Sequence, residues 1–341
     1  MGLNLRVGIA GYGLAGRVFH APLIEYVEGL EVSAVLTRSE QRATSAHANH
    51  PGARVVGEVD ELLDGIDVLV VATPNSSHVP LALAGIERGL AVVVDKPLAP
   101  TAAEARRLVD AGGRLTVFQN RRWDGDFLTV RRLLSEGALG RVARFESRFE
   151  RFRPQVDPGR WREQSGTEEG GGLLLDLGPH LVDQAVRLFG RPLTVYCELR
   201  RRRPGAEVDD DVFVALEHAD GVRSHLWMSQ LAALPGPRMK VSGEGDAFVC
   251  DGIDPQEEQL AGGMSPGDAS FGRGPVGQTS AGEVAMERGR YEAFYEGVRD
   301  WAAGSAPPPV DPADGLRVLE LLEIARRASE EGAVLPAASS T

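Results

Sequence analysis

Cysteine and lysine are the scarcest features of this 341-residue chain. Its two cysteines, Cys197 and Cys250, supply neither a disulfide framework nor a metal cluster, and no metal is expected. No uncharged apolar run approaches the ~20 residues needed to cross a bilayer, so no membrane partner is expected. A basic surplus is also missing. The net charge is −12, which argues against a binder that tracks nucleic-acid phosphates. The one dense basic patch, Arg200 to Arg203, precedes Pro204-Gly205 and reads as a solvated strand end and turn. Met1 to Arg6 lead directly into an apolar strand with no charged leader, and the default expectation is a cytoplasmic protein. Lysine occupies only positions 96 and 240, leaving arginine to supply 35 of the 37 basic residues. Where this chain needs only a positive charge, it uses arginine.

The length suits two domains with sizeable cores. In the first third, strand and helix patterns alternate. Leu5–Ala10, 31–37, 67–73, 90–94 and 115–119 read as strands, several of them near-continuous β-branched runs, as expected for parallel strands buried on both faces. Helical patterns separate them, including 101–111, where Thr101 and Glu104 form a capping box. This alternation predicts an α/β fold whose N-terminal Rossmann domain, residues 1–122, is built on a doubly wound parallel sheet.

The first strand ends in Gly11-Tyr12-Gly13-Leu14-Ala15-Gly16. A lone G-x-G-x-x-G is weak evidence, but here it follows the first strand and opens a helix, which is the context that gives it meaning. Gly11, Gly13, Leu14, Ala15 and Gly16 are therefore the candidate pyrophosphate cradle. NAD-binding units usually place an acid at the end of the second strand, on the ribose 2′-hydroxyl. This chain reads Thr37-Arg38-Ser39 there, with Arg42 one helical turn on. A guanidinium can grip a 2′-phosphate through two parallel hydrogen bonds, so Thr37, Arg38 and Arg42 point to NADP. The bland alternative is a pair of exposed helix arginines.

After Trp123 the pattern changes to an α+β domain, residues 123–341, with an open, largely antiparallel sheet: extended segments lie near 141–152, 193–202, 208–217, 222–231 and 238–250. Residues 253–285, rich in Gly, Pro and Ser, read as a long loop. Two helices, about 287–303 and 312–330, close the chain.

Three residues carry candidate chemistry. Lys96 follows the 90–94 strand in Asp95-Lys96-Pro97, where open α/β sheets place ligands, and a lysine here suits a tunable amine. Asp176 and His180 are four apart, and Pro179 suggests that a helix begins at Gly178-Pro179 with His180 in its first turn. The positive helix end disfavours imidazolium there. Taken alone, such a pair is more often a structural hydrogen bond than a dyad.

Together with Ala72-Thr73-Pro74-Asn75, His78 and the glycine run before Asp176, these motifs resemble the Gfo/Idh/MocA oxidoreductase family over essentially the whole chain. The resemblance implies a catalytic set of Lys96, Asp176 and His180. It also implies cofactor contacts from Thr73, Pro74, Asn75, His78, Asp95, Lys96, Asn120, Trp161 and Arg162. Asp95 departs from the family's glutamate, which shortens that arm and leaves its role open. Phe19-His20-Ala21-Pro22, Phe118 to Asp124 and Asp254 to Glu257 resemble the branch holding NADP-dependent scyllo-inositol 2-dehydrogenases.

The expected reaction is interconversion of a secondary alcohol and a ketone on a cyclic polyol or sugar. The rivals are reduction of another sugar carbonyl (an aldose or deoxysugar ketone) and a non-catalytic NADP-binding regulator; retention of lysine, aspartate and histidine speaks against the regulator. An open sheet face left uncovered by helices predicts a homodimer or homotetramer.

Overall fold

The computed structural model describes residues 4–157, 159 and 171–337. The chain divides into two compact units, Met1–Trp123 with Pro255–Gly272 and Arg290–Leu316, and Asp124–Asp254 with Arg273–Gly289 and Arg317–Thr341.

In the first unit β1 (Leu5–Ala10), β2 (Leu30–Leu36), β3 (Arg54–Val56), β4 (Val68–Val71), β5 (Ala91–Asp95) and β6 (Arg114–Phe118) form a wholly parallel sheet. Its order is β3-β2-β1-β4-β5-β6. Every residue of β4 is buried, as are Ala91 to Val94 of β5, so these strands read as unbroken apolar runs with no alternation. The helices between strands are α1 (Ala21–Tyr26), α2 (Glu40–Asn49), α3 (Val59–Leu63), α4 (His78–Glu87) and α5 (Ala102–Asp110). Thr101 caps α5 by accepting from the Glu104 amide, as expected from the capping box. β3 and α3 were not foreseen; each has only three to five residues, too few for periodicity to register.

The second unit is built on a nine-stranded, mostly antiparallel sheet. Its strands are β7 (Val142–Glu150), β8 (Pro192–Arg200), β9 (Asp211–His218), β10 (Arg223–Ser229), β11 (Met239–Gly243), β12 (Ala247–Cys250), β13 (Gly277–Thr279), β14 (Gly282–Val284) and β15 (Leu335–Pro336). Among the described residues, only the β7–β10 pair of this sheet is parallel. The helices of this unit include α6 (Gly125–Ser135), α7 (Leu173–Asp176) and α8 (Gly178–Phe189). Alternation along β9 and β10 sends Val212, Val214, Leu216, Leu226 and Met228 into the core. Their neighbours Phe213, His225 and Trp227 lie on the other face and are only half-buried. On that face Tyr196, Phe213 and Trp227 make a ladder of rings, and the Arg148 guanidinium sits 3.9 Å over Trp227.

Three expectations are corrected. Residues 253–285 are not one long loop: they contain α9 (Gln256–Ala261), bounded by Asp254-Pro255 and Gly262-Gly263, and the β13–β14 hairpin, which extends the sheet edge beyond β12. The extended stretch 238–250 is a hairpin, β11 and β12, turning at Glu244 to Asp246. The arginine run is not solvated throughout. Arg203 is buried against Asp210 at 2.9 Å and donates to the carbonyls of Arg153 and Gln155, because a buried guanidinium needs an acid and several acceptors. The closing helices are α10 (Glu292–Ala302) and α11 (Pro312–Glu331). No helix among the described residues is long and apolar enough to cross a membrane.

Candidate active site

In the first unit the candidate cofactor residues gather at the carboxyl ends of β1, β2, β4, β5 and β6, the edge where open parallel sheets bind ligands. Gly11 has φ +97°, and a Cβ there would lie 2.6 Å from the Ala72 carbonyl oxygen. A Cβ on Gly16 would lie 2.1 Å from the Gly11 carbonyl oxygen, so the glycines let the loop fold against the strand. Gly13 has no such neighbour: the space its Cβ would fill is open, with Arg42 Nη1 4.0 Å away. Leu14 is exposed and Ala15 half-buried where the following helix starts. That helix opens as a π-helical turn, Ala15–His20, before α1.

Thr37 and Arg38 follow β2, and Ser39 caps α2 by accepting from the Arg42 amide. Arg38 is exposed; its Nη2 lies 3.7 Å from Glu58 Oε2, an acid that its distance in sequence had hidden. Beyond β4, Thr73, Pro74 and Asn75 lead through a 3₁₀ turn into α4. His78 is buried, with Nδ1 2.9 Å from the Pro97 carbonyl oxygen and Nε2 3.0 Å from that of Thr73. It is thus a strut between the ends of β4 and β5. Burial lowers its pKa, against the pull of Asp95 and the two carbonyls. Asp95 closes β5 and accepts the Lys96 amide hydrogen at 2.7 Å. Burial pushes the Asp95 carboxyl up, but His20, with Lys96 and His78, outweighs it and holds the group below the usual carboxylate range. Asn120, buried, begins the turn after β6.

In the second unit a glycine-rich approach sets the other two candidates. Gly172 has φ 92° and ψ 158°, a region almost closed to other residues. A Cβ on it would lie 2.3 Å from Asp209 Oδ1. Asp209 Oδ2 accepts the Leu174 amide at 2.7 Å, and its backbone oxygen accepts that of Leu173 at 3.0 Å, so one aspartate fastens the start of α7. Asp176 ends α7. Leu177 forms the bend, and α8 begins at Gly178 with Pro179 and His180 in its first turn, as expected. The His180 ring meets the Phe149 ring edge-on at 6.4 Å, and the Arg238 guanidinium covers Phe149 at 4.2 Å. Asp209 was not among the sequence candidates; in Asp209-Asp210-Asp211 it looks like a solvated acid run, and only the fold reveals its burial. Trp161 and Arg162 lie outside the described residues. Cys197 and Cys250 are buried thiols, pushed up to about 12 by burial, and are unsuited to nucleophilic work.

A parallel sheet of this order with a glycine loop after its first strand defines a dinucleotide-binding Rossmann unit. Residues 5–117 match the oxidoreductase family with an NAD-binding Rossmann fold, and residues 127–249 match the GFO/IDH/MocA C-terminal domain. The chain belongs to the GFO/IDH/MocA oxidoreductase family. It is 42% identical to the uncharacterized oxidoreductase YdgJ of Escherichia coli, over 97% of this chain and 98% of that one. It is 34% identical to the NADP(+)-type scyllo-inositol 2-dehydrogenase IolW of Bacillus subtilis, over 96% and 94%. Among solved structures, an oxidoreductase from Bacillus cereus matches with a TM-score of 0.85 at 28% identity, over 99% of both chains.

Proposed function

We propose that this chain is an NADP-dependent oxidoreductase that interconverts a secondary alcohol and a ketone on a cyclic polyol or sugar, with scyllo-inositol the first substrate to try. The observation that carries the cofactor choice is the end of β2: Thr37, Arg38 and Arg42 stand there, the strand's own acid, Glu31, lies near its other end, and Arg42 leans toward the open space at Gly13. A ribose 2′-hydroxyl would find no carboxylate on that strand end, whereas a 2′-phosphate would find two guanidinium groups. The resemblance to IolW favours the same cofactor and suggests the substrate.

NADP, held by the glycine loop, Thr37, Arg38, Arg42 and the Thr73–Asn75 turn, supplies the hydride chemistry when bound. The chain's own residues hold and move the proton. His180, in the first turn of α8, accepts the hydroxyl proton during oxidation and returns it during reduction. Lys96 donates a hydrogen bond to the same oxygen and stabilises charge growing there. Asp176 orients the substrate or the histidine. Incubating the protein with NADP or NAD and a panel of inositols and sugars, while following the absorbance of reduced nicotinamide, tests the whole reading.

A further inference from the structure

We propose that His20, backed by Tyr295, is a positioning residue that turns the Asp95 carboxylate inward and so fixes the strand end carrying Lys96. The proposal rests on reading Lys96 as a catalytic group.

Asp95 Oδ1 accepts the Lys96 amide at 2.7 Å, and Asp95 Oδ2 stands 3.9 Å from His20 Nε2. The His20 ring is fully buried. Its other nitrogen, Nδ1, lies 2.6 Å from the hydroxyl of Tyr295, which is also fully buried. Phe118 packs against the ring at 4.5 Å, and Tyr295 meets it edge-on at 6.1 Å. The imidazole is therefore clamped on one side by a hydroxyl and on another by an aromatic face, and its free edge faces the carboxylate. Groups facing Asp95 come from three directions: His20 before α1, His78 at the start of α4 and Tyr295 on α10, besides its neighbour Lys96. One oxygen of this short carboxylate is held by the Lys96 backbone, and the other faces His20 Nε2 at 3.9 Å, beyond direct hydrogen-bond length but within reach of an ionic attraction. A glutamate would carry its oxygens one methylene farther out.

The test uses His20→Leu, His20→Gln and Tyr295→Phe in the full chain. Gln can place an amide nitrogen near the position of Nε2, whereas Leu fills space without polarity; Phe removes a single oxygen. Because the chain holds only Lys96 and Lys240, an amine-labelling reagent applied to cofactor-free protein, followed by peptide mapping, reports each lysine separately. The Lys96-to-Lys240 labelling ratio should change at least threefold in His20→Leu and at least twofold in Tyr295→Phe, and return to within twofold of wild type in His20→Gln. With a turned-over substrate, His20→Leu should lower kcat at least tenfold, leave KM for NADP within threefold and shift the kcat–pH profile. An unchanged labelling ratio in His20→Leu and Tyr295→Phe, with only thermal stability reduced, overturns the proposal and leaves His20 as packing. A kcat loss matched by a rise in KM for NADP also overturns it. The labelling arm needs no substrate, so a changed ratio in a protein that oxidises no polyol sinks the reaction and keeps the positioning role.

Discussion

Arg38 and Glu58 are both largely exposed, at 77% and 71% of their side chains. Such a pair contributes at most about 1 kcal/mol, so a 2′-phosphate can displace Glu58 with little loss. Arg38→Ala should weaken NADP by roughly ten- to hundredfold, the equivalent of ~1.5–3 kcal/mol for a lost charge-assisted hydrogen bond, and leave NAD nearly unchanged. Titration of both cofactors by tryptophan fluorescence measures this; equal losses for the two would remove Arg38 from the phosphate site. Lys96→Met and His180→Ala should each lower kcat by about two to four orders of magnitude with the fold intact, in line with lost charge stabilisation for the first and lost general acid–base help for the second. His78 yields a pH prediction. Its folded pKa lies below the ordinary value near 6.5, so below that pH the unfolded chain binds a proton that the folded protein refuses. Stability is full above that value and falls as pH drops. The midpoint of thermal unfolding should decline from about pH 7 to about pH 5.5, and His78→Gln should flatten the slope. His218 and His225, also lowered by burial, add slope of the same sign.

At the scale of elements, the short helix α7 depends on a fastening that its sequence does not advertise. Leu173 to Asp176 is one turn, too short to hold itself, and Asp209 secures two of its first amides. Gly172→Ala would meet both a forbidden backbone region and the Asp209 carboxylate, costing about 1–3 kcal/mol in strain alone. Urea unfolding should show that loss, and kcat should fall with it because Asp176 and His180 follow directly; full activity with unchanged stability would contradict the role given to Asp209. Elements with long, regular patterns were legible: the five longer parallel strands, the Thr101 cap and the start of α8 at Gly178-Pro179 all follow from side-chain period and proline placement. What escaped reading lacked such a pattern. β3 and α3 are too short, the turn at Glu244 to Asp246 interrupts β11 and β12 without a proline, and glycines around Gln256–Ala261 mask a real helix.

At the scale of the molecule, sequence order hides which residues fold together. Residues 255–272 and 290–316 belong to the first unit although more than a hundred residues separate them from its strands. That is how Tyr295 comes to sit on His20. Motifs single out Lys96, Asp176 and His180 as candidates; nothing in the sequence singles out Asp209, Glu58 or Tyr295, because only tertiary folding gives them partners. The half-buried Tyr196, Phe213 and Trp227 ladder supports the proposal that the open sheet face pairs with a second copy of the chain. Light scattering should give a dimer or tetramer, and Phe213→Glu with Trp227→Glu should shift it to monomer; a wild-type monomer at micromolar concentration would rule the pairing out.

Cofactor-resolved turnover of scyllo-inositol decides whether this protein is an NADP-dependent polyol dehydrogenase. With saturating substrate, the purified protein should reduce NADP with a kcat/KM at least tenfold above that for NAD, and Lys96→Met should abolish the signal. Equal or greater efficiency with NAD, or no reduction of either cofactor by any inositol or sugar in the panel, would rule that activity out.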